Sequence, residues 1–337
     1  MKAARLACLL TISALPALAL AANPPATPGP CNRACLEGFV DKYLDAMQKN
    51  EVSDALFARD TKFTENGIRL PLGNEGMWFN MSGKGNYKFY VPDVETQQVA
   101  FIGTVRFGGE TTTDGTLAAL ALRLKIVNNK ITEVEQLAIR PDNTQQVTGG
   151  ANATPAAPPR FPPTGQAVEA MGRPHAVFFE SIPENKRATR EELIKSANYY
   201  FTGLSRNDGK GYYNFTDDCV RFENGIDVLA GRAAAPGQAP TRTKCKEQFE
   251  NGSLNGIVSR IRDRRFVAVD RERGIVYAFG FFDHDRINWT WQLAELFKIE
   301  DGNIRRIEAV FLRAPYGIPS GWSTYEQAMS EEIQDVR

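Results

Sequence analysis

Residues 281–285 read Phe-Phe-Asp-His-Asp and contain one of only two histidines in the chain. An imidazole titrates near neutrality, so His284, with Asp283 as its acid–base partner, can give a proton to a ligand or take one. Successive residues of an extended segment alternate faces, which sets His284 opposite Asp283 and Asp285 unless the strand bends. The competing reading is a solvated His-Asp pair at a strand end. A second candidate is Glu295 in Ala-Glu-Leu-Phe-Lys-Ile-Glu (residues 294–300), where Glu295, Phe297 and Ile299 share one face of a strand. A carboxyl group among apolar neighbours either points into a cavity or lies at an edge. Tyr200 can supply a hydrogen bond to a ligand, or can be core with a satisfied hydroxyl.

Further residues can bind rather than react. Glu223 and Asn224 set a carboxylate beside an amide, a pair able to take a proton and hold an enolate oxygen. Asn-Gly also favours a tight turn, and this reading is preferred because the same triplet occurs at Glu65-Asn66-Gly67. Arg264, within a cluster with Arg260, Arg262 and Arg265, can pair with a carboxylate or sulfate. Alternatively the cluster is a solvated strand face with Asp263 offsetting part of its charge. Tyr316 and Trp322 are candidate lid aromatics over a cavity mouth, or else part of a tail packed on the sheet. Tyr43 and Trp78 are candidate cavity walls.

The elements that must position these residues come in two copies. Residues 60–68 (DTKFTENGI) and 218–226 (DCVRFENGI) are nearly the same text. Before each lies a helical pattern: Leu36, Phe39, Val40, Tyr43, Leu44 and Met47 in one copy, and Leu193, Ile194, Ala197, Tyr200, Phe201 and Leu204 in the other, behind a Thr189–Glu192 capping box. Tyr43 and Tyr200 align. Each copy continues with a hairpin whose turn starts at Asp93 or Asp270. A closing strand pair follows, in which Glu135 aligns with Glu308 and Leu122 with Glu295. Leu122 in one copy and Glu295 in the other fits a single working cavity, in the second domain. Leading helices followed by long strands must cover one face of a curved sheet.

The chain divides into residues 1–21, a secretory signal with Lys2 and Arg5 ahead of an apolar run; 22–140, the first domain; 141–187, a Pro-rich linker and bridging segment; 188–325, the second domain; and 326–337, a tail. Forty basic residues stand against forty acidic ones. Losing Lys2 and Arg5 with a leader barely alters that balance, which argues against nucleic acid as a partner. No membrane span is expected after the leader. Four cysteines remain outside it, and an even number in an exported chain favours disulfides over metal. Cys31–Cys35 and Cys219–Cys245 are the preferred pairings among three connectivities. No cofactor motif and no metal-ligand set is present.

The strand openings FTENG and RFENG, and the closing hairpin LFKIEDGNIRRIEAVF, resemble the SnoaL-like, ketosteroid-isomerase-like branch of the nuclear transport factor 2-like superfamily. More narrowly, RRFVAVDRERGIVYAFGFFDH and APYGIPSGW resemble a family of exported tandem-domain proteins of fungi and bacteria. The resemblance covers both halves apart from linker and tail. It implies an α+β fold of two tandem cone-shaped domains, each with helices packed on a strongly curved antiparallel sheet (cystatin-like). It also implies cofactor-independent acid–base chemistry, as isomerase, dehydratase or lyase, on an apolar or aromatic small molecule; the alternative is a non-catalytic binding or interaction module. Location in the periplasm or outside the cell, packing of the two domains on each other, and a homodimer are further expectations.

Overall fold

The computed structural model describes residues 29–141, 162–230, 241–252 and 254–334. The expected leader and most of the Pro-rich stretch lie outside them. The first copy runs α1 (Arg33–Lys49), β1 (Phe57–Glu65), β2 (Ile68–Arg69), α2 (Met77–Asn80), β3 (Met81–Asp93), β4 (Gln98–Phe107), β5 (Thr116–Val127) and β6 (Lys130–Ile139). After α3 (Thr164–Ala170), the second copy repeats the order: α4 (Arg190–Arg206), β7 (Phe215–Glu223), β8 (Ile226–Asp227), α5 (Cys245–Glu250), β9 (Arg260–Asp270), β10 (Ile275–His284), β11 (Trp289–Glu300) and β12 (Asn303–Pro315). A short α6 (Tyr325–Met329) closes the described chain.

Each copy forms a six-stranded sheet, ordered β2-β1-β6-β5-β4-β3 and β8-β7-β12-β11-β10-β9. The α+β tandem architecture is as expected, with one difference. The sheets are not wholly antiparallel, because β1 runs parallel to β6 and β7 parallel to β12. The first strand of each copy returns beside the last, which sets Glu65 opposite Gln136 and Glu223 opposite Ala309.

The helices form for the reasons their sequences give. Asn32 caps α1 by accepting from the Cys35 amide, and Thr189 and Glu192 complete the capping box of α4. Leu36, Phe39, Val40, Tyr43, Leu44 and Met47 are all buried on the sheet, as are Leu193, Ala197, Tyr200, Phe201 and Leu204. Residues alternate strictly along β11. Leu293, Phe297 and Ile299 join the core under α4, while Ala294 and Leu296 join a third core built from both sheets. That third core includes Phe89, Ile102 and Ala121 from the first copy and Val267, Tyr277 and Val310 from the second. The two domains therefore pack sheet to sheet.

Reciprocal polar contacts lock this packing. Arg33 at the start of α1 donates two hydrogen bonds, of 2.7 and 2.8 Å, to Asp270 in the second domain's hairpin. Arg190, its counterpart in α4, pairs with Asp93 in the first domain's hairpin. Arg265 reaches Glu135 at 2.7 Å, and Tyr87 donates to Glu308 at 2.8 Å, so the aligned carboxylates Glu135 and Glu308 both serve the interface. Arg306 also binds Glu308.

The segments after each sheet cross over as well. Asn66 and Gly67, and likewise Asn224 and Gly225, have positive φ, the geometry of a tight primed turn. A Cβ on Gly67 would lie 2.6 Å from the Pro319 carbonyl oxygen, and one on Gly225 would lie 2.5 Å from the Ala167 backbone. Each turn is thus covered by the chain that leaves the other copy's sheet, and only glycine leaves room for it. The bridging segment assigned to the linker is accordingly more than linker where it is described. α3 packs on β4 and β5, Glu169 accepts from the Asn86 amide, and Phe178 is fully buried.

Both preferred disulfides are present, Cys31–Cys35 and Cys219–Cys245. The second ties α5 to β7 across 26 residues. Closing a loop of that length stabilises the fold by about 3.5 kcal/mol. Replacing both Cys219 and Cys245 with serine should lower the unfolding free energy by roughly that amount in urea titrations; a loss below about 1 kcal/mol would remove the bridge from the factors that hold α5.

Candidate active site in the second cone

Aligned positions on the two sheets differ in ways that decide what fills each cone. In the first, Phe63 on β1, Leu122 on β5 and Gln136 on β6 point inward under α1. Gln136 accepts from the Tyr43 hydroxyl at 2.7 Å and donates to Glu65 at 2.7 Å, and the Trp78 indole donates to Tyr43 at 2.9 Å. Glu65 also accepts from the Met77 amide and pairs with Arg140 at 2.9 Å. Trp78 is 1 % exposed and packs edge-on against Tyr43 and Phe57. Tyr43 and Trp78, expected as cavity walls, therefore fill that interior.

In the second cone Arg221 stands where the first has Phe63, Glu295 replaces Leu122, and Ala309 replaces Gln136. Two apolar side chains have become charged and one large side chain has become small. The result is a cavity of about 240 Å³ lined by Arg221, Glu223, Gln248 and Glu295, with apolar walls that include Leu293, Phe282, Phe311 and Trp291. Arg221 donates to Glu223 and, at 2.8 Å, to Gln248 on α5. Disulfide-tethered α5 thus sets one wall of the site.

Glu295 is 2 % exposed, and its Oε2 is buried with no hydrogen-bond partner. Burial pushes its carboxyl up to about 8; Arg221 and a hydrogen bond from Tyr200 pull it down, while Glu223 raises it. A group that titrates near neutrality can both release and accept a proton at working pH. Tyr200 is fully buried and held far above the usual phenol range by desolvation, so it stays a hydrogen-bond donor.

The other expected site residues lie elsewhere. Asp283 and His284 are not partners: Asp283 is fully buried and takes Arg260 at 2.6 Å and Arg262 at 2.9 Å on the opposite strand face. Strand alternation separates the two, since no bend intervenes before the end of β10. His284 instead stacks on Trp289, with ring centroids 4.4 Å apart, and meets Trp291 edge-on. Asn224 is a turn residue whose Oδ1 accepts from the Phe311 amide, so of the Glu223–Asn224 pair only Glu223 faces the cavity. Arg264 is not a ligand-binding cation there. It is spent on the Ile261 carbonyl, Asn198, Thr202 and Glu331. Nor do Tyr316 and Trp322 cover the cavity: Trp322 docks on the first domain, donating to Thr64 at 2.8 Å beneath Lys62 and Arg123, and Tyr316 is exposed. Arg221, Gln248, Trp289 and Trp291 were not anticipated; comparing Phe63 with Arg221 in the two repeats was the available signal.

Two segments of the chain, residues 30–138 and 186–311, match one family model, described as "Domain of unknown function (DUF8021)". Together they make up well over half of the sequence, and the chain belongs to that family, once in each copy. No curated protein matches the chain. Among solved structures it is similar to a protein of unknown function with a cystatin-like fold from Methylobium petroleophilum PM1, at 15 % identity over 37 % of this chain and 78 % of that one, TM-score 0.26. It is also similar to a de novo designed protein with a curved β-sheet, at 17 % identity over 37 % and 88 %, TM-score 0.25. Among the described residues no group of three or more His, Cys, Asp or Glu side chains is arranged to hold a metal ion, and no helix is long and apolar enough to cross a membrane.

Proposed function

We propose that this chain is an exported, cofactor-independent enzyme of the SnoaL-like, ketosteroid-isomerase-like kind, with one working cone. Its substrate is an apolar or aromatic small molecule carrying a carbonyl or hydroxyl oxygen. Glu295 is the acid–base group, Tyr200 its hydrogen-bond donor, and Arg221, fixed by Glu223 and Gln248, the cation that stabilises developing negative charge. Below about pH 8 the Glu295 carboxyl gives its proton to a substrate oxygen; the carboxylate so formed takes a proton from carbon. With no group lost, the outcome is isomerisation; if the protonated hydroxyl leaves as water, it is dehydration.

The observation that carries this reading is the unpartnered Glu295 Oε2 facing a cavity whose counterpart in the first copy is filled. A buried polar atom without a partner costs about 1–3 kcal/mol, a cost that a ligand hydrogen bond would offset. The test is solvent exchange: cyclic enones and β-hydroxy ketones incubated in D2O, with carbon-bound deuterium followed by NMR. The native protein should speed exchange for at least one compound, and Glu295→Gln should abolish it. Binding of the panel with no exchange above buffer would overturn catalysis and leave a binding module.

A cavity-filling variant checks the location independently. Ala309→Gln restores the side chain that occupies the first cone and should weaken ligand binding at least tenfold while the fold survives. Unchanged affinity in calorimetric titration would place the ligand elsewhere.

A further inference from the structure

Beside the cone lies a second hollow of about 330 Å³, lined by Gly256, Ile257, His284, Ile287, Trp289 and Trp291, with Asp285 and Arg286 also in its lining. Ile257 and Trp291 line both spaces, so the hollow is a vestibule against the cone's wall. Its volume falls within the ~300–1,000 Å³ of small-molecule sites.

Of the polar side chains that line this vestibule, Asp285 and Arg286 are exposed and His284 is the buried one. The His284 side chain is 4 % exposed, and its Nδ1 lies 2.9 Å from the Phe282 carbonyl oxygen. A carbonyl only accepts, so Nδ1 carries the hydrogen and Nε2 of the neutral ring holds a lone pair. Burial lowers the imidazole's basicity, which keeps the ring neutral. Nε2 is buried and has no hydrogen-bond partner. The ring cannot turn to relieve this, because Trp289 stacks on it at 12° and Trp291 packs against it at 4.2 Å. Arg313 lies over Trp289, 4.9 Å from its centroid, and steadies that stack. His284 thus lines the hollow and carries a fixed, unpartnered acceptor among aromatic and aliphatic neighbours. Asp285 and Arg286 carry opposite charges, so the lining calls for no ionic ligand.

We infer that this vestibule is a binding subsite for a neutral aromatic ring bearing a hydroxyl group, whose O–H donates to His284 Nε2 while the ring packs between Ile257, Ile287 and the edges of Trp289 and Trp291. It requires no titration of Glu295 and stands apart from the proposed chemistry; only the shared wall links the two. A substrate long enough to pass Trp291 would occupy both spaces.

The test uses phenol and its methyl ether, anisole, as probes, with tryptophan fluorescence as readout. Phenol should bind the native protein about tenfold more tightly than anisole, the worth of one hydrogen bond to a buried acceptor. His284→Phe, which keeps a flat ring between the tryptophans, should abolish the difference, and Glu295→Leu should leave it intact. A preference that survives His284→Phe but vanishes in Glu295→Leu would move phenol to the cone, overturning this inference while supporting the other site. Equal binding of the two probes to the native protein would also overturn it. Should His284→Phe not fold, the imidazole nitrogen resonances of the native protein decide: phenol must shift Nε2, and an unmoved Nε2 at saturation sinks the assignment.

Discussion

Replacing Glu295 with glutamine should make the protein more stable above pH 8 by a few kcal/mol, while proton exchange in the second cone is lost. The folded chain keeps a proton on Glu295 up to about pH 8, whereas the unfolded chain releases it near the ordinary value of 4.5. For a carboxyl raised in this way, the stability contribution is whole below pH 4.5, declines as pH rises toward 8, and is lowest above it. At about 1.36 kcal/mol for each pH unit of that interval, the upper bound is roughly 5 kcal/mol. Relaxation around Arg221 reduces what is measured. Glutamine has the same shape and never ionises, so the variant escapes the decline. Urea denaturation of both proteins at pH 5 and pH 9 provides the measurement: the gap between them should be small at pH 5 and wide at pH 9. An identical gap at both pH values would mean that Glu295 titrates normally, and the acid–base role would fall with it.

Removing Asp93 should act in the opposite direction and destabilise the fold. Its side chain is fully buried, pairs with Arg190 from the other domain, and also accepts from the Val269 amide at 3.0 Å and from the Glu95 and Thr96 amides of its own turn. Asp93→Ala leaves a guanidinium only 9 % exposed without its counter-charge and frees three amides. Breaking a buried pair in this way costs about 3–5 kcal/mol. Asp270→Ala breaks the matching contact, but Arg33 is 24 % exposed and water can solvate it, so the loss should be smaller. Chemical denaturation that ranks the two variants in the reverse order, or finds either within 0.5 kcal/mol of native as for an ordinary surface change, would show that these clamps do not hold the domains together.

Much of this architecture was legible in the residues. The helical spacing of Leu36 to Met47 and of Leu193 to Leu204 marked both helices and their buried faces, because a 3.6-residue period has one physical cause. Alternation along residues 294–300 placed Glu295 with Phe297 and Ile299, and the contrast with Leu122 pointed to the second cone. What sequence did not yield were pairings between residues distant in the chain. Asp283 was assigned to its neighbour His284, but strand geometry turns it toward Arg260 and Arg262. The sequence leaves Trp322 either over a cavity mouth or in a tail packed on the sheet, and does not show that the tail crosses to Thr64 in the other domain. Arg221 escaped notice because a lone arginine on a strand carries no signal until the copies are compared and Phe63 appears in its place.

The crossed arginine–aspartate contacts bear on how one copy came to differ from the other. Two identical subunits joined across such a surface would inherit every substitution twice, so opening one interior would open both and subtract packing from each. Covalent succession in a single polypeptide removes that constraint. One module can be selected for rigidity, with Trp78 and Gln136 occupying its centre, and can lend that rigidity through Arg33 and Glu135 to a sibling whose centre, with Ala309 in place of Gln136, holds a cavity.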